Sequence, residues 1–208
     1  MARLCDLAGD GKLAEVRLAL ALGEDVNSKD SNGNTALMHA VLCKHNSIVK
    51  LLLDQPAVDV NVKNIRGWTA LHRAASANNA EGARMLLLHK DFNSANVTNN
   101  NGSTALTIAV RYKHNSIVKL LLDQRAVDVN VKDNHGGTAL YWAAGVNNAV
   151  GARMLLLLND FNSANETDNF GFTALMIAVK NRKEEVLREL VKHQCVSLDV
   201  GHLEGNQR

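Results

Sequence analysis

One five-residue frame, Gly-x-Thr-Ala-Leu, recurs along the chain: GNTALMHAV from Gly33, GWTALHRAA from Gly67, GSTALTIAV from Gly102, GGTALYWAA from Gly136 and GFTALMIAV from Gly171. Its threonines stand at 35, 69, 104, 138 and 173, a period that alternates between 34 and 35 residues. A fixed period in this range means stacked supersecondary units, none of which can bury its apolar face alone. A block of two units is itself duplicated, since residues 32–95 and 101–164 differ at only seventeen positions.

Each unit can be read from its letters. An Asp or Asn stands five residues before each threonine (Asp30, Asn64, Asn99, Asp133, Asp168), and a glycine stands two before it. A short acid or amide side chain bonds to nearby backbone and glycine accepts positive φ, so this is turn chemistry. The threonine then caps a short helix whose Ala and Leu positions fall three and four apart on one face. A second helix follows in each unit, at 46–54, 79–89, 115–123, 148–158 and 183–192. The units close on Asp59–Asn61, Ser94–Asn96, Asp128–Asn130 and Ser163–Asn165. Helices this short are not stable in isolation, so stability has to come from neighbouring units. The first 27 residues supply two helices without the preceding turn, as expected of a cap.

The G-x-T-A-L-H-x-A-A frame, the IVKLLL of the second helix and the closing DVN resemble the ankyrin repeat over about residues 4–200. The resemblance implies an all-α fold, an ankyrin-repeat solenoid of paired antiparallel helices with β-hairpin or turn fingers. It also implies a concave face, formed by the fingers and first helices, that binds another protein. The expected organisation is a single domain over 1–200, with a capping unit at 1–27 and full units at about 28–61, 62–96, 97–130, 131–165 and 166–200. A tail occupies 201–208. The chain departs from the family pattern in three ways. Ala36, Ala70, Ala105, Ala139 and Ala174 stand where a proline is usual. Only Leu71 is followed by the usual histidine, His72, the others carrying Met38, Thr107, Tyr141 and Met176. The period exceeds the family's 33 residues, with the extra residues near the end of helix two. Losing the proline and the histidine removes rigidity.

Thirteen of the seventeen differences between the duplicated blocks fall in the turn before the frame or on helix one, where the exposed side is expected to carry them. They include Asn64/Asp133, Ile65/Asn134, Arg66/His135 and Trp68/Gly137 in the turn, and Met38/Thr107, His39/Ile108, Leu42/Arg111 and Cys43/Tyr112 on the helix. The second helices at 45–55 and 114–124 are identical. Packing letters stayed fixed while one lateral surface changed, and most aromatic residues lie on that surface. Aromatic and arginine anchors dominate interface energies. The candidate partner-binding residues are therefore Arg66, Trp68, Arg73, Arg111, Tyr112, His135, Tyr141, Trp142, Phe170 and Phe172. For Tyr141 and Phe172 the alternative is gap-filling between units. Lys44, Arg66, Arg73, Arg111, Lys113 and Arg182 give this side a modest positive field that steers toward an acidic or mixed-charge partner.

A composition of 46% hydrophobic and 21% charged residues is that of an ordinary soluble globular chain. The net charge of +2 is small beside the basic excess of most DNA-binding modules. Cys5, Cys43 and Cys195 form no CxxC pair, which points to free thiols in a reducing compartment. The N-terminus lacks the apolar run of a signal peptide, and runs such as Met154–Leu158 fall far short of a membrane span. The expected location is intracellular, in cytoplasm or nucleus. No HExxH, GxSxG or phosphate-binding GxxxxGK[ST] occurs. His39 and Cys43, four apart, are too few to hold a metal. The sequence nominates no catalytic residue, no metal site and no cofactor.

The leading expectation is a non-catalytic protein–protein interaction module acting as adaptor, inhibitor or scaffold. The expected partner is a protein rather than nucleic acid or membrane, and the expected state is a monomer, with a dimer left open. One alternative is a nucleotide or oligonucleotide sensor that stacks bases on Trp68 and Trp142 and holds phosphates with arginines. The other is a structural spacer within a larger assembly.

Overall fold

The threonine frame does cap helices. In a computed structural model of the chain, which describes residues 3–158 and 163–193, Thr35, Thr69, Thr104, Thr138 and Thr173 are all extended N-cap residues. Each side-chain oxygen accepts the backbone N–H three residues on, satisfying one of the donors a helix start leaves open. The helices so begun are α3 (Ala36–Leu42), α5 (Ala70–Ala77), α7 (Ala105–Arg111), α9 (Ala139–Val146) and α11 (Ala174–Lys180). Their partners are α4 (Asn46–Leu53), α6 (Ala80–Leu87), α8 (Asn115–Leu122), α10 (Ala149–Leu156) and α12 (Glu184–Lys192). The cap contributes α1 (Arg3–Gly9) and α2 (Leu13–Ala21). Phe161, Cys195, the close of the last unit and the 201–208 tail lie outside the described residues.

The helices form an all-α repeat fold, in two compact units, Met1–Asn100 and Asn101–Arg208. In the first, α3 contacts both α1 and α5, and α4 contacts both α2 and α6. In the second, α9 contacts α7 and α11 while α10 contacts α8 and α12. Helix one therefore packs on helix one and helix two on helix two. The cores repeat letter for letter: Leu37, Ile48, Leu52, Leu71 and Leu86 are fully buried in the first unit. Their copies Leu106, Ile117, Leu121, Leu140 and Leu155 are fully buried in the second. Each such side chain contributes roughly 1.5–3 kcal/mol over its exposed state.

Polar groups register the layers. Asn79 caps α6 through Gly82 N–H at 2.8 Å, and its amide donates to the Val41 carbonyl at the end of α3 at 2.9 Å. Asn148 does the same with Gly151 and Val110 in the second unit. A side chain on either glycine would collide with the asparagine, 2.6 Å from the added carbon. The first helices end on non-glycine residues in the left-handed region: Lys44, Asn78, Lys113, Asn147 and Arg182, with φ of 52–61°.

The fingers are turns. Among the described residues the only β pairing is two isolated bridges, Lys29–Thr35 and Thr167–Thr173. The expected exposed side of helix one needs correction as well. Met38, Thr107 and Ile108 are almost wholly buried, so these differences between the blocks are packing exchanges. Leu42, Cys43, Arg111 and Tyr112 are exposed, as expected.

Candidate partner-binding surface

The turn acid or amide positions the residues that project from each tip. Asn64 Oδ1 accepts the N–H of Arg66 and of Trp68, each at 2.9 Å. Asp133 Oδ1 accepts from His135 at 2.9 Å and Gly137 at 3.0 Å, and Asp168 Oδ1 from Phe170 at 2.9 Å and Phe172 at 2.8 Å. Asp30 Oδ1 takes Asn32 and Asn34, both at 2.8 Å. Five of the ten candidates, Arg66, Trp68, His135, Phe170 and Phe172, thus have their backbones anchored by the turn acid or amide.

The second carboxylate oxygen of each turn aspartate takes a side-chain donor. Asp30 Oδ2 pairs with His39 Nε2 at 2.9 Å, Asp133 Oδ2 with Trp142 Nε1 at 2.7 Å, and Asp168 Oδ2 with the Tyr141 hydroxyl at 2.8 Å. His39 and Trp142 belong to the helix that follows their own turn, whereas Tyr141 reaches forward to the next one. In the second turn, Asn64 brings its own donor, and its Nδ2 bonds to Asn34 Oδ1 at 2.8 Å. Burial on its own would raise the Asp30 pKa, but hydrogen bonds from Asn34, His39 and Asn32 outweigh it and lower it to about 2. The Tyr141 phenol is pushed well up, first by burial, then by its bond to Asp168 and that residue's charge, so it remains a donor.

Within each compact unit some of the candidates touch one another. In Met1–Asn100 the Arg73 guanidinium lies over the Trp68 ring, 5.1 Å from its centroid, with Arg66 exposed at the same tip. In Asn101–Arg208, Arg111 lies over Trp142 at 4.2 Å, and Trp142 meets His135 and Tyr141 edge-on at 6.4 and 5.5 Å. Phe172 sits under the Lys180 ammonium at 4.5 Å, and Tyr112 stacks with His114 at 5.8 Å. Phe170 projects alone and is 79% exposed.

Trp68, Trp142, Tyr141, Arg73 and Phe172 are half-buried, and the bond to Asp133 or Asp168 gives Trp142 and Tyr141 a structural duty. The freely exposed members are Arg66, Arg111, Tyr112, His135 and Phe170. Sequence reasoning left out Ile65, 63% exposed at its tip, although its replacement by Asn134 in the copy was the available signal. It also left out His39, whose pairing with Asp30 was signalled by an acid nine residues before a donor, as in Asp133 and Trp142. Among the described residues no group of three His, Cys, Asp or Glu is placed to hold a metal ion. None of their helices is long and apolar enough to cross a membrane.

A family model described as ankyrin repeats (three copies) matches residues 4–96 and 87–165, and one described as ankyrin repeat matches residues 170–202. The chain is 37% identical over 136 residues to neurogenic locus notch homolog protein 1 of Mus musculus, and 38% identical over 133 residues to neurogenic locus notch homolog protein 2 of Homo sapiens. These matches cover 65% and 64% of the chain but only 5% of those proteins. Two solved structures are similar over nearly the whole chain. EF0377, an ankyrin repeat protein, has a TM-score of 0.80 at 28% identity, covering 91% of this chain and 96% of that one. The ankyrin repeat domain of Bcl-3, a member of the IkappaB protein family, has a TM-score of 0.81 at 26% identity, covering 93% and 86%.

Proposed function

Because the chain belongs to the ankyrin-repeat family, whose repeats are generally protein–protein interaction modules, we propose that it is a non-catalytic module binding a protein partner through its turn tips and first helices. It acts as adaptor, inhibitor or scaffold inside the cell, a setting supported by the free thiols of Cys5 and Cys43. Arg66 in the first compact unit and Arg111, Tyr112, His135 and Phe170 in the second make the contacts. Trp68, Arg73, Tyr141, Trp142 and Phe172 hold the surface around them in shape. A rigid presentation of this kind keeps the ordering cost of association low.

One observation carries the reading. Between the duplicated blocks the buried leucines are unchanged, whereas exposed positions exchange Arg66 for His135, Leu42 for Arg111 and Cys43 for Tyr112. A spacer needs no such replacement. The oligonucleotide alternative loses support because one face of Trp68 and one of Trp142 is already covered by an arginine of the chain itself.

The test is affinity capture from cell lysate with the parent and with a Arg66→Ser, Tyr112→Ser, Phe170→Ser variant, all exposed positions. A protein retained by the parent and lost by an equally stable variant supports the surface. Equal retention by both overturns it.

A further inference from the structure

The first compact unit carries a polar, partly open pocket of about 130 Å³ at its tips, lined by Asn32, Asn34, Asn64, Ile65, Arg66 and Arg73. Its walls are fixed by hydrogen bonds. Asn34 Oδ1 accepts from Asn64 Nδ2 at 2.8 Å and from Arg73 Nη2 at 2.9 Å, while Asn34 Nδ2 donates to Asp30 Oδ2 at 2.9 Å. The Ile65 N–H donates to the Asn32 carbonyl at 3.1 Å, tying one tip to the next. A network of this kind pre-organises the cavity before anything enters it.

The charge inside it is unanswered. Among the described residues neither Arg66 nor Arg73 lies within ion-pair distance of a carboxylate. Arg73 Nε is buried with no hydrogen-bond partner. Burial and the neighbouring Arg66 charge both pull the Arg73 pKa down, with Asp30 opposing them. Holding the half-buried Arg73 charge beside a second cation, the exposed Arg66, is unfavourable unless a negative group joins them. Two guanidinium charges against the single Asp30 carboxylate leave a deficit of one negative charge.

The duplicated block has no such cavity chemistry. The equivalents of the six lining residues are Asn101, Ser103, Asp133, Asn134, His135 and Trp142. Both arginines are gone, and an acid has replaced Asn64, its outer oxygen filled by the Trp142 N–H. Five of the six lining positions differ, so five of the seventeen differences between the blocks fall on this one cavity.

We infer that the cavity is a carboxylate pocket, receiving one Asp or Glu side chain of the protein partner between Arg66 and Arg73. This rests on the protein-binding reading above and names the chemistry that the tips of the first unit recognise. A monoanion matches the deficit of one charge, whereas a phosphate dianion exceeds it and meets stronger repulsion from Asp30. The planar guanidinium fork pairs with a planar carboxylate through parallel hydrogen bonds.

The experiment is a ¹H–¹⁵N NMR titration of the full chain with acetyl-glutamyl-glycine amide, with its glutamine analogue and with inorganic phosphate. The glutamyl peptide is expected to give saturable shifts at Arg73 Nε–H and at the Asn34 and Asn64 amides. The glutamine analogue gives none, and Asn101, His135 and Trp142 do not move. Arg66→Gln, at an exposed position, weakens the glutamyl titration by about tenfold, the low end for a charged hydrogen bond. Arg73 signals unmoved by the glutamyl peptide overturn the pocket. Phosphate saturating at lower concentration than the glutamyl peptide overturns the carboxylate assignment in favour of a phosphorylated side chain. Because the titration contains no partner protein, its failure leaves the protein-binding reading standing. Equal lysate retention by the exposed-residue variant removes that reading by itself.

Discussion

The Tyr141 hydroxyl and the Asp168 carboxylate are bonded at 2.8 Å across a repeat boundary, joining the first helix of one repeat to the turn of the next. Tyr141 occupies the place where the family usually has a buried histidine, and its extra reach is what makes this bond.

Removing that hydroxyl leaves the outer oxygen of the Asp168 carboxylate without its donor. Asp168 is 7% exposed, so Tyr141→Phe should destabilise by about 1–2 kcal/mol as the carboxylate loses a donor. Adding Asp168→Asn should recover part of the loss, since an amide keeps the oxygen that accepts from Phe170 and Phe172 and carries no charge. A urea-unfolding double-mutant cycle should read a coupling near 1 kcal/mol. Additive effects of the two changes would refute the link.

Acid should act early at Asp30. Its carboxyl titrates at about 2 in the fold against 3.8 as the ordinary value, so ionised Asp30 stabilises the fold above about pH 4. That contribution is lost as pH falls from about 4 to about 2. The urea midpoint of the parent should therefore fall more steeply over this window than that of Asp30→Asn, by an amount worth about 2 kcal/mol. Parallel pH profiles for the two proteins would contradict it.

His72 closes a capping box from a fully buried position: the Thr69 N–H donates to its Nδ1 at 3.1 Å while the threonine oxygen accepts the His72 N–H. His72→Ala should cost about 2–3 kcal/mol, from a lost hydrogen bond and a cavity. His72→Thr should cost less, because Thr107, at the same place in the frame of the following unit, has its hydroxyl 3.1 Å from the Thr104 hydroxyl. Thermal unfolding of the pair gives the order, and an equal loss for both would contradict it.

Lys44, Lys113 and Arg182 hold positive φ, a region costing a side-chain-bearing residue about 1 kcal/mol or more. Lys113→Gly should raise the unfolding midpoint, by up to about 1 kcal/mol. Asn147→Gly should change it less, since asparagine tolerates this region. A drop in stability for Lys113→Gly would show that its side chain supplies more than the strain removes.

Much of this was legible in the letters. The threonine caps and the Asx turns follow from local chemistry within five residues of sequence. The partner of each outer carboxylate oxygen did not. The Tyr141 bond depends on the layer spacing between successive first helices, which no local pattern encodes. Burial of Met38, Thr107 and Ile108 was also hidden. A difference between two copies marks a position free of a shared constraint, and a buried site between dissimilar neighbours satisfies that as well as an exposed one. The candidate surface was correspondingly half legible. Arg66, Tyr112 and Phe170 project as their turn and helix positions implied, while Trp142 and Tyr141 turned inward to the acids.

The bond from Tyr141 to Asp168 bears on how such a protein can be cut and recombined. A graft that begins just before residue 168 takes the acid and leaves its donor behind. One that carries Trp142 without Asp133 strands an indole N–H. The transplantable piece is a turn together with whichever side chain closes its carboxylate, and at Asp168 its edges do not coincide with the edges of the sequence repeat.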